Sequence, residues 1–323
     1  MLQRRSLMGL AALATLPGTT GLAAEMPEGP VRFIIPFPPG GPGDVAGRIL
    51  APPLSQRLGR PVVMDNRSGA GGMVGIEAVA RATPDGRTIG FATAGAIAIA
   101  PQLVPGTTFT PLRDLAMLSR IGSVPQLIVV NPRMPIRTLP ELLEHARREP
   151  GRLTVASSGN GSIPHLAIEL LLTQAGVQLT HVPYRGVAPA LTDLISGQVN
   201  AMIADLVAFV SHVRGGTLRG IALAARERSP LLPEVPTTAE GGLADFEVSN
   251  WYGLVTAAAT PEPVQALLQQ AMVGVLREPD VVRALGELGA TVAGSSQAEF
   301  RAFVQSETTR WTDVARRAGA RMD

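Results

Sequence analysis

The chain has 323 residues, 46% of them hydrophobic, with no cysteine, no lysine and four histidines. Its 28 basic residues, all arginines, face 26 acidic ones, so the formal net charge is +2. The absence of cysteine excludes disulfides, thiolate nucleophiles and cysteine-ligated metal sites. The arginines are scattered beside acidic residues, unlike the clustered basic patch of a nucleic-acid-binding protein. We therefore expect no metal, no cofactor and no nucleic-acid partner.

Residues 1–24 have the pattern of a secretory signal peptide. Arg4 and Arg5 precede an apolar run at 7–16, which is shorter than the roughly 20 residues of a membrane-spanning helix. An amphipathic N-terminal helix is the alternative, but the run has no polar face. The arginine pair fits either Sec or twin-arginine export. Removing these two of the 28 basic residues leaves 26 against 26 acidic ones, so we expect a neutral, exported protein.

Strands and helices alternate in the first third of the chain. Apolar runs bounded by glycine and proline predict strands at 31–36, 61–65 and 88–93. A helix is expected from Asp44, and Pro52 and Pro53 should kink or split it. This alternation predicts parallel strands joined by helical crossovers.

The same alternation starts again after Pro125. Its predicted strands lie at 126–130, 153–156, 179–182, 199–204 and 218–224, and its predicted helices at 138–149, 164–175 and 188–196. A strand at 246–256 leads back to the first unit, followed by helices at 261–277, 281–288 and 297–318, with Thr138, Thr260 and Ser296 as N-caps. We therefore expect an α/β fold of two lobes with a ligand cleft between them, lobe 1 at 25–124 plus 247–323 and lobe 2 at 125–246.

Two glycine-rich turns, at 38–44 and 157–162, each follow a strand and open a helix. A helix N-terminus offers unpaired backbone N–H groups and a positive dipole end, so it binds anions without a cationic side chain. Two such turns facing each other would bind carboxylates; alternatively, glycine only permits tight connections. The candidate ligand-binding residues in these turns are Pro39, Gly40, Gly41, Gly43, Asp44, Ser158, Gly159, Asn160 and Ser162.

Two candidate side chains, one in the first turn and one just after the second, have alternative roles. Asp44 either caps the first helix or accepts a hydrogen bond from a ligand. His165 either hydrogen-bonds the preceding loop and fixes its shape, or pairs with Glu169 for catalysis.

Further candidates follow other strands at the same predicted sheet edge. They are Ala94, Tyr184, Arg185, Gly186 and Asp205. Trp251 and Tyr252, on the returning strand, are either buried between the lobes or part of a pocket wall.

Several enzyme motifs are absent from the sequence. Residues 69–75 have the spacing GxGxxxG after the second strand, which differs from a dinucleotide fingerprint after the first. No GxSxG elbow, Walker A loop or Ser–His–Asp order is present. We therefore expect that the protein is not an enzyme.

Six segments resemble the Bug family of periplasmic solute-binding proteins, the receptors of tripartite tricarboxylate transporters. They are PVRFIIPFPPGGPGD (30–44), RSGAGGMVGIEAVARATPDGRTI (67–89), ASSGNGSIPHLAIELL (156–171), THVPYRGVAPALTDLISGQV (180–199), LPEVPTTAEGGL (232–243) and NWYGL (250–254). They occur in order along essentially the whole chain after the signal segment.

This resemblance implies a type II periplasmic-binding-protein fold, a Venus flytrap of two α/β lobes. It also implies small carboxylate ligands held largely by backbone groups and ordered water in the two turns, beside the loop 184–186. The expected function is that of a periplasmic, monomeric receptor that delivers its ligand to a membrane permease. A ligand-sensing component of a signalling system is the alternative.

Overall fold

The computed structural model describes residues 26–318, and within them the chain forms ten strands and eleven α-helices. The strands are β1 (Val31–Ile35), β2 (Val62–Asn66), β3 (Thr88–Thr93), β4 (Leu115–Val130), β5 (Thr154–Ser157), β6 (Thr180–Pro183), β7 (Ala201–Asp205), β8 (Arg219–Leu223), β9 (Ser249–Ala257) and β10 (Thr291–Val292). The helices are α1 (Pro42–Leu58), α2 (Met73–Ala80), α3 (Ala100–Leu103), α4 (Pro111–Asp114), α5 (Leu139–Arg148), α6 (Ile163–Ala175), α7 (Val187–Ser196), α8 (Val210–Arg214), α9 (Glu262–Val275), α10 (Pro279–Glu287) and α11 (Gln297–Ala318). The expected signal peptide lies outside the described residues.

Two groups of parallel strands are connected by long antiparallel strands. β2, β1 and β3 pair in parallel in the first group, and β6, β5 and β7 pair in parallel in the second. β9 joins β3 to the first part of β4, while the second part of β4 pairs with β7 and β8. Parallel neighbours require crossover connections, so the expected α/β alternation is confirmed.

β4 is longer than the sequence predicts. A strand was expected only at 126–130, but β4 already begins at Leu115 and passes through Pro125. Proline donates no backbone hydrogen bond and usually interrupts a central strand. At Pro125 the partner of β4 changes from β9, which it pairs with at Ser249, to β7, which it pairs with from Gln126. The missing N–H therefore falls where the pairing changes.

The hydrophobic core has two layers, one on each face of the strands. Phe33 and Leu127 pack in one layer, whereas Ile34 and Ile128 pack in the other. Successive strand residues point to opposite faces, so the strands are buried on both sides. Residues of α1 and α9 cover the first face, and residues of α2, α6 and α11 cover the second.

The Pro52–Pro53 pair does not split α1, contrary to one alternative of the sequence prediction. The helix runs unbroken from Pro42 to Leu58. Leu50 and Leu54 are fully buried, whereas Pro52 is exposed. Burial of this apolar face favours the helix enough to offset the backbone hydrogen bonds that the prolines cannot make.

Two of the three expected N-caps are confirmed. Thr138 accepts from the backbone N–H of Glu141 at 3.3 Å, and Ser296 accepts from that of Glu299 at 3.3 Å. Thr260 is not a cap, because α9 begins at Glu262 with Pro261 as the preceding residue. In the described part of the chain, the helices are too short or too polar to cross a membrane.

Candidate functional site

A cavity lies between the two lobes, beyond the carboxyl ends of parallel strands from both groups. Its volume is about 80 Å³. By the same measure, a cavity that holds one water molecule has a volume of roughly 10–15 Å³. Parts of segments 37–43, 93–95, 158–164 and 185–189 line it, and Gly71, Ala204, Asp205, Asn250 and Tyr252 complete the wall. A space of this size fits a small molecule.

The first turn, residues 38–44, leads from β1 into α1. Gly41 is the N-cap of α1, so no side chain satisfies the first N–H groups of this helix. Asp44 is therefore not the cap, which corrects one alternative of the sequence analysis. Its carboxylate instead accepts from the Gly40 N–H at 3.0 Å, from Asn66 Nδ2 at 3.0 Å and from Arg48 Nε at 2.9 Å.

With a longer fourth bond from Arg48 Nη2 at 3.4 Å, these bonds fill the roughly four lone-pair positions of the Asp44 carboxylate. The residue is 2% exposed. Burial by itself would raise its pKa, but the hydrogen bonds from Gly40, Arg48 and Asn66 outweigh burial and lower the pKa. Asp44 thus stays ionised and fixes the first turn.

The second turn, residues 157–162, connects β5 to α6 and is held by hydroxyl groups. Ser157 Oγ accepts from the Gly159 N–H at 3.1 Å and lies 2.7 Å from His181 Nε2. Ser162 Oγ donates to the Gly159 carbonyl at 2.6 Å and accepts from the His165 N–H at 3.3 Å, which makes Ser162 the N-cap of α6. The turn is therefore cross-linked at both ends.

An imidazole completes this turn. His165 Nδ1 accepts from the Gly161 N–H at 3.2 Å, so the expected bond to the preceding loop is present. An acceptor Nδ1 requires a neutral ring with its proton on Nε2, and Nε2 lies 3.6 Å from Glu169 Oε1. The His165 ring stacks on His181, with centroids 4.4 Å apart and an interplanar angle of 13°.

His181 is neutral in this environment. Burial lowers its pKa to about 4, and the neighbouring His165 adds to this effect while Glu169 opposes it. Ligand atoms of His165, Glu169 and His181 lie within 4.8 Å of one another. The nitrogen lone pairs of the two stacked rings, however, lie in nearly parallel planes. One ion could be bound by both rings only if one of the rings rotated.

The floor of the cavity contains a buried carboxylate. Asp205, at the end of β7, accepts from Gln126 Nε2 at 2.6 Å, from Asn250 Nδ2 at 3.2 Å and from the Tyr252 hydroxyl. Burial raises the pKa of Asp205, and these three hydrogen bonds compensate only in part. Burial and the adjacent Asp205 also hold the pKa of Tyr252 well above its usual value.

The structure brings eight of the fifteen sequence-predicted site residues to the cavity wall. These are Pro39, Gly41, Gly43, Ser158, Ser162, Arg185, Gly186 and Asp205. The other seven lie in or beside the same segments without lining the cavity: Gly40, Asp44, Ala94, Gly159, Asn160, His165 and Tyr184. The Tyr184 hydroxyl donates to Asp193 at 2.7 Å, and burial together with Asp193 raises its pKa to about 12.

Sequence patterns did not indicate Gly71, Gly95 or Asn250, although all three line the cavity. A Cβ on Gly71 would lie 3.2 Å from the Gly161 carbonyl oxygen, and one on Gly95 would lie 3.1 Å from it. The two lobes thus approach closely at glycines. The available signal was the glycine run at 69–72, which follows β2 at the same sheet edge as the first turn.

The adjacent aromatic residues on β9 have different environments. Trp251 is 1% exposed, packs edge-on against Phe300 and donates to Glu307 at 3.1 Å. Tyr252 lies in the cavity wall and contacts Phe91, with ring centroids 4.9 Å apart. Because side chains alternate between the two faces of a strand, Trp251 packs in the core and Tyr252 lines the cavity.

The two-lobed α/β architecture with a cavity between the lobes is that of the periplasmic solute-binding proteins, and solved members share it at TM-scores of 0.83 to 0.86. The expected fold class is confirmed. A model of the tripartite tricarboxylate transporter family receptor matches residues 46–320. The chain therefore belongs to this family, as the resemblance to Bug proteins predicted.

Similar proteins cover nearly the whole chain. Protein BugT of Bordetella pertussis is 35% identical over 319 residues, which are 97% of this chain and 98% of BugT. The structure of MatC from Rhodopseudomonas palustris with bound malate is 34% identical, with a TM-score of 0.83 over 88% of this chain and 98% of MatC. R. palustris Rpa4515 with adipate is also 34% identical, with a TM-score of 0.86 over 90% of this chain and 98% of that protein.

Proposed function

We propose that this protein captures a small carboxylate in the cavity between its lobes and delivers it to a membrane permease of a tripartite tricarboxylate transporter. The N-terminus of α1 at the cavity wall carries this proposal. Gly41 and Gly43 line the cavity, and no side chain caps this helix. Its free N–H groups and positive dipole end favour a carboxylate oxygen.

Groups on the opposite wall complement this anion site. Ser158 and Arg185 line the cavity from the second lobe, so a hydroxyl and a guanidinium are available to a second carboxylate or another acceptor. The chain has no lysine, and recognition of an anion therefore depends on backbone N–H groups, hydroxyls and arginine. The malate and adipate bound by the similar proteins MatC and Rpa4515 support a carboxylate ligand.

The proposal includes the domain organisation and the cellular location. Residues 25–124 and 247–323 form lobe 1, and residues 125–246 form lobe 2. The pairing of β4 and β9 supports a hinge near Pro125, because both strands connect the two groups of parallel strands. Closure of the lobes around a ligand would present a new surface to the permease. Residues 1–24 direct export, and the mature protein acts in the periplasm as a monomer without enzymatic activity.

Ligand screening tests this function. Succinate, malate, adipate, citrate and aromatic acids are added to the purified protein, and the midpoint of thermal unfolding is measured with the corresponding neutral amides as matched controls. A bound acid stabilises the native state by mass action, so we expect at least one acid to raise the midpoint and its amide to have no effect. Stabilisation by the amides but by none of the acids would contradict the carboxylate proposal.

A further inference from the structure

The carboxylate of Asp205 has an unusual set of partners for a charged group. It is 6% exposed, and its three hydrogen-bond donors, the amides of Gln126 and Asn250 and the hydroxyl of Tyr252, are all neutral. Within residues 26–318, no arginine or histidine forms an ion pair with it. A buried carboxylate without a positive partner is costly, and such groups are usually paired.

Two more acceptors beside Asp205 have no hydrogen-bond partner. We call the group formed by Gln126, Asp205 and Asn250 the acceptor corner. Gln126 Oε1 and Asn250 Oδ1 are buried and have no hydrogen-bond donor. The nitrogens of both amides donate to Asp205, and this fixes which end of each amide carries the orphan oxygen. A carboxylate offers about four lone-pair positions, of which the protein fills three here. The corner therefore contains two acceptor oxygens with no donor at all, whereas each amide nitrogen already uses one of its two N–H groups.

Part of this corner is open to the ligand cavity. Asp205 and Asn250 both line the wall, while Gln126 lies behind them with no exposed surface. The α1 N-terminus and Arg185, which offer donors, line other parts of the same wall. The cavity thus combines donor groups with a separate group of acceptors.

We propose that Asp205 and Asn250 bind a hydrogen-bond-donating substituent, a protonated amine or a hydroxyl, on the carbon chain of the carboxylate ligand. This inference rests on the proposed function and narrows its substrate class to amino or hydroxy acids. A plain carboxylic acid leaves the acceptors unpaired after water is expelled, and sites built to hydrogen-bond a substituent discriminate strongly against the analogue that lacks it. A protonated amine fits best, because it also supplies the positive charge that Asp205 lacks.

Matched ligands test the inference on the wild-type protein. Isothermal titration calorimetry is carried out with succinate, malate and aspartate, then with glutarate, 2-hydroxyglutarate and glutamate, and with propionate, lactate and alanine. Within each series only the substituent changes from hydrogen to hydroxyl to ammonium. In the series that binds, we expect the amino or hydroxy acid to bind at least about 10-fold more tightly than the plain acid. Comparison of the amino acid with the hydroxy acid then shows which donor the site prefers.

A variant links this preference to the carboxylate. Asp205→Asn should reduce the preference for the substituted acid over the plain acid by about 10-fold. Asp280→Asn, with a side chain that is 85% exposed on α10, makes the same chemical change away from the cavity and should alter neither affinity.

The outcomes separate this inference from the proposed function. Plain acids that bind as tightly as their substituted analogues to the wild-type protein would overturn the role of Asp205 and leave carboxylate binding intact. This result does not depend on whether Asp205→Asn folds. An undiminished preference in a folded Asp205→Asn protein would likewise overturn it. Failure of every acid in these series, together with failure of every acid in the thermal screen, would overturn both proposals.

Discussion

The two glycine-rich turns have similar backbone designs but different supporting chemistry. Each follows a parallel strand, lines the cavity and leads into a helix N-terminus. The first turn is fixed by one ionised carboxylate, that of Asp44, whereas the second is fixed by hydroxyls and a neutral imidazole from Ser157, Ser162 and His165. The two turns therefore have a similar backbone arrangement, but an anion fixes the first turn and neutral groups fix the second.

This difference implies that the turns respond differently to perturbation. The pKa of Asp44 is lowered, so the contribution of Asp44 to stability is present above the unfolded-state value near 3.8 and is lost only as the pH falls through the lower folded value. The second turn is bonded through Ser157 to His181, whose lowered pKa keeps its ring neutral near pH 7. The first turn should therefore be sensitive to mutation of a single residue, and the second to moderate acid.

Removal of the Asp44 carboxylate should have the largest effect. Asp44→Ala leaves the Gly40 N–H and the Asn66 amide without their buried acceptor, and we expect the free energy of unfolding to fall by about 2–4 kcal/mol. Urea unfolding followed by circular dichroism at pH 7 measures this loss. Ligand affinity should fall too, because the first turn lines the cavity.

Arg48→Ala is the matched control for this variant. It removes the charged partner but keeps the carboxylate and its two neutral donors, and the Arg48 side chain is 62% exposed. Exposed ion pairs contribute little, so the expected loss is below about 1 kcal/mol. Equal destabilisation by Arg48→Ala and Asp44→Ala would show that the ion pair, and not the hydrogen bond to the turn, accounts for the contribution of Asp44 to stability.

Acid should weaken the second turn before the first. His181 has a folded pKa of about 4, compared with roughly 6.5 when unfolded. Above pH 6.5 both states are neutral; as the pH falls toward 4 the unfolded state binds a proton that the folded state does not, so stability decreases. The partly exposed site reduces the expected loss to about 1–2 kcal/mol, measured by urea unfolding at pH 7, 5.5 and 4.5.

His181→Gln should flatten this pH dependence, because the substituted amide does not titrate. His145→Gln, on α5 and away from the cavity, serves as the control and should retain the wild-type slope. If wild type and His181→Gln lose stability in parallel between pH 6.5 and 4, His181 is not the group responsible.

Local signals made much of the fold predictable. β3 was expected at 88–93 and lies there, and α6 ends at Ala175 because Gly176 adopts the left-handed conformation that closes it. The first half of β4 was missed, because its pairing with β9 depends on residues more than 100 positions away. Long-range pairing leaves little trace in a local pattern.

The candidate site shows the same division. Glycine runs after strands indicated both turns, and the position of His165 at the start of α6 indicated its bond to the turn. The acceptor corner was not predictable as a group, although Asp205 itself was a candidate. Gln126 and Asn250 are 79 and 45 residues from it in sequence, and only the registers of β4, β7 and β9 bring them together.

The smallest expected effect concerns how tightly each turn is packed by the opposite lobe. A Cβ on Gly186 would lie 4.0 Å from Pro38 of the first turn, an ordinary contact. A Cβ on Gly95 would lie 3.1 Å from the Gly161 carbonyl oxygen and 3.4 Å from Ser162 Cα, both in the second turn. The second turn is therefore the more crowded one.

Gly95→Ala should accordingly push the second turn outward by a few tenths of an ångström. Gly95 does not require a left-handed backbone, so the free energy of unfolding should change by less than about 1 kcal/mol. The affinity for the bound acid, in contrast, should fall about 3- to 10-fold. Gly286→Ala, in helix α10 with open space around the added carbon, is the same substitution and should leave affinity unchanged. Unchanged affinity in Gly95→Ala would mean that contact between the lobes at this glycine is not needed for ligand capture.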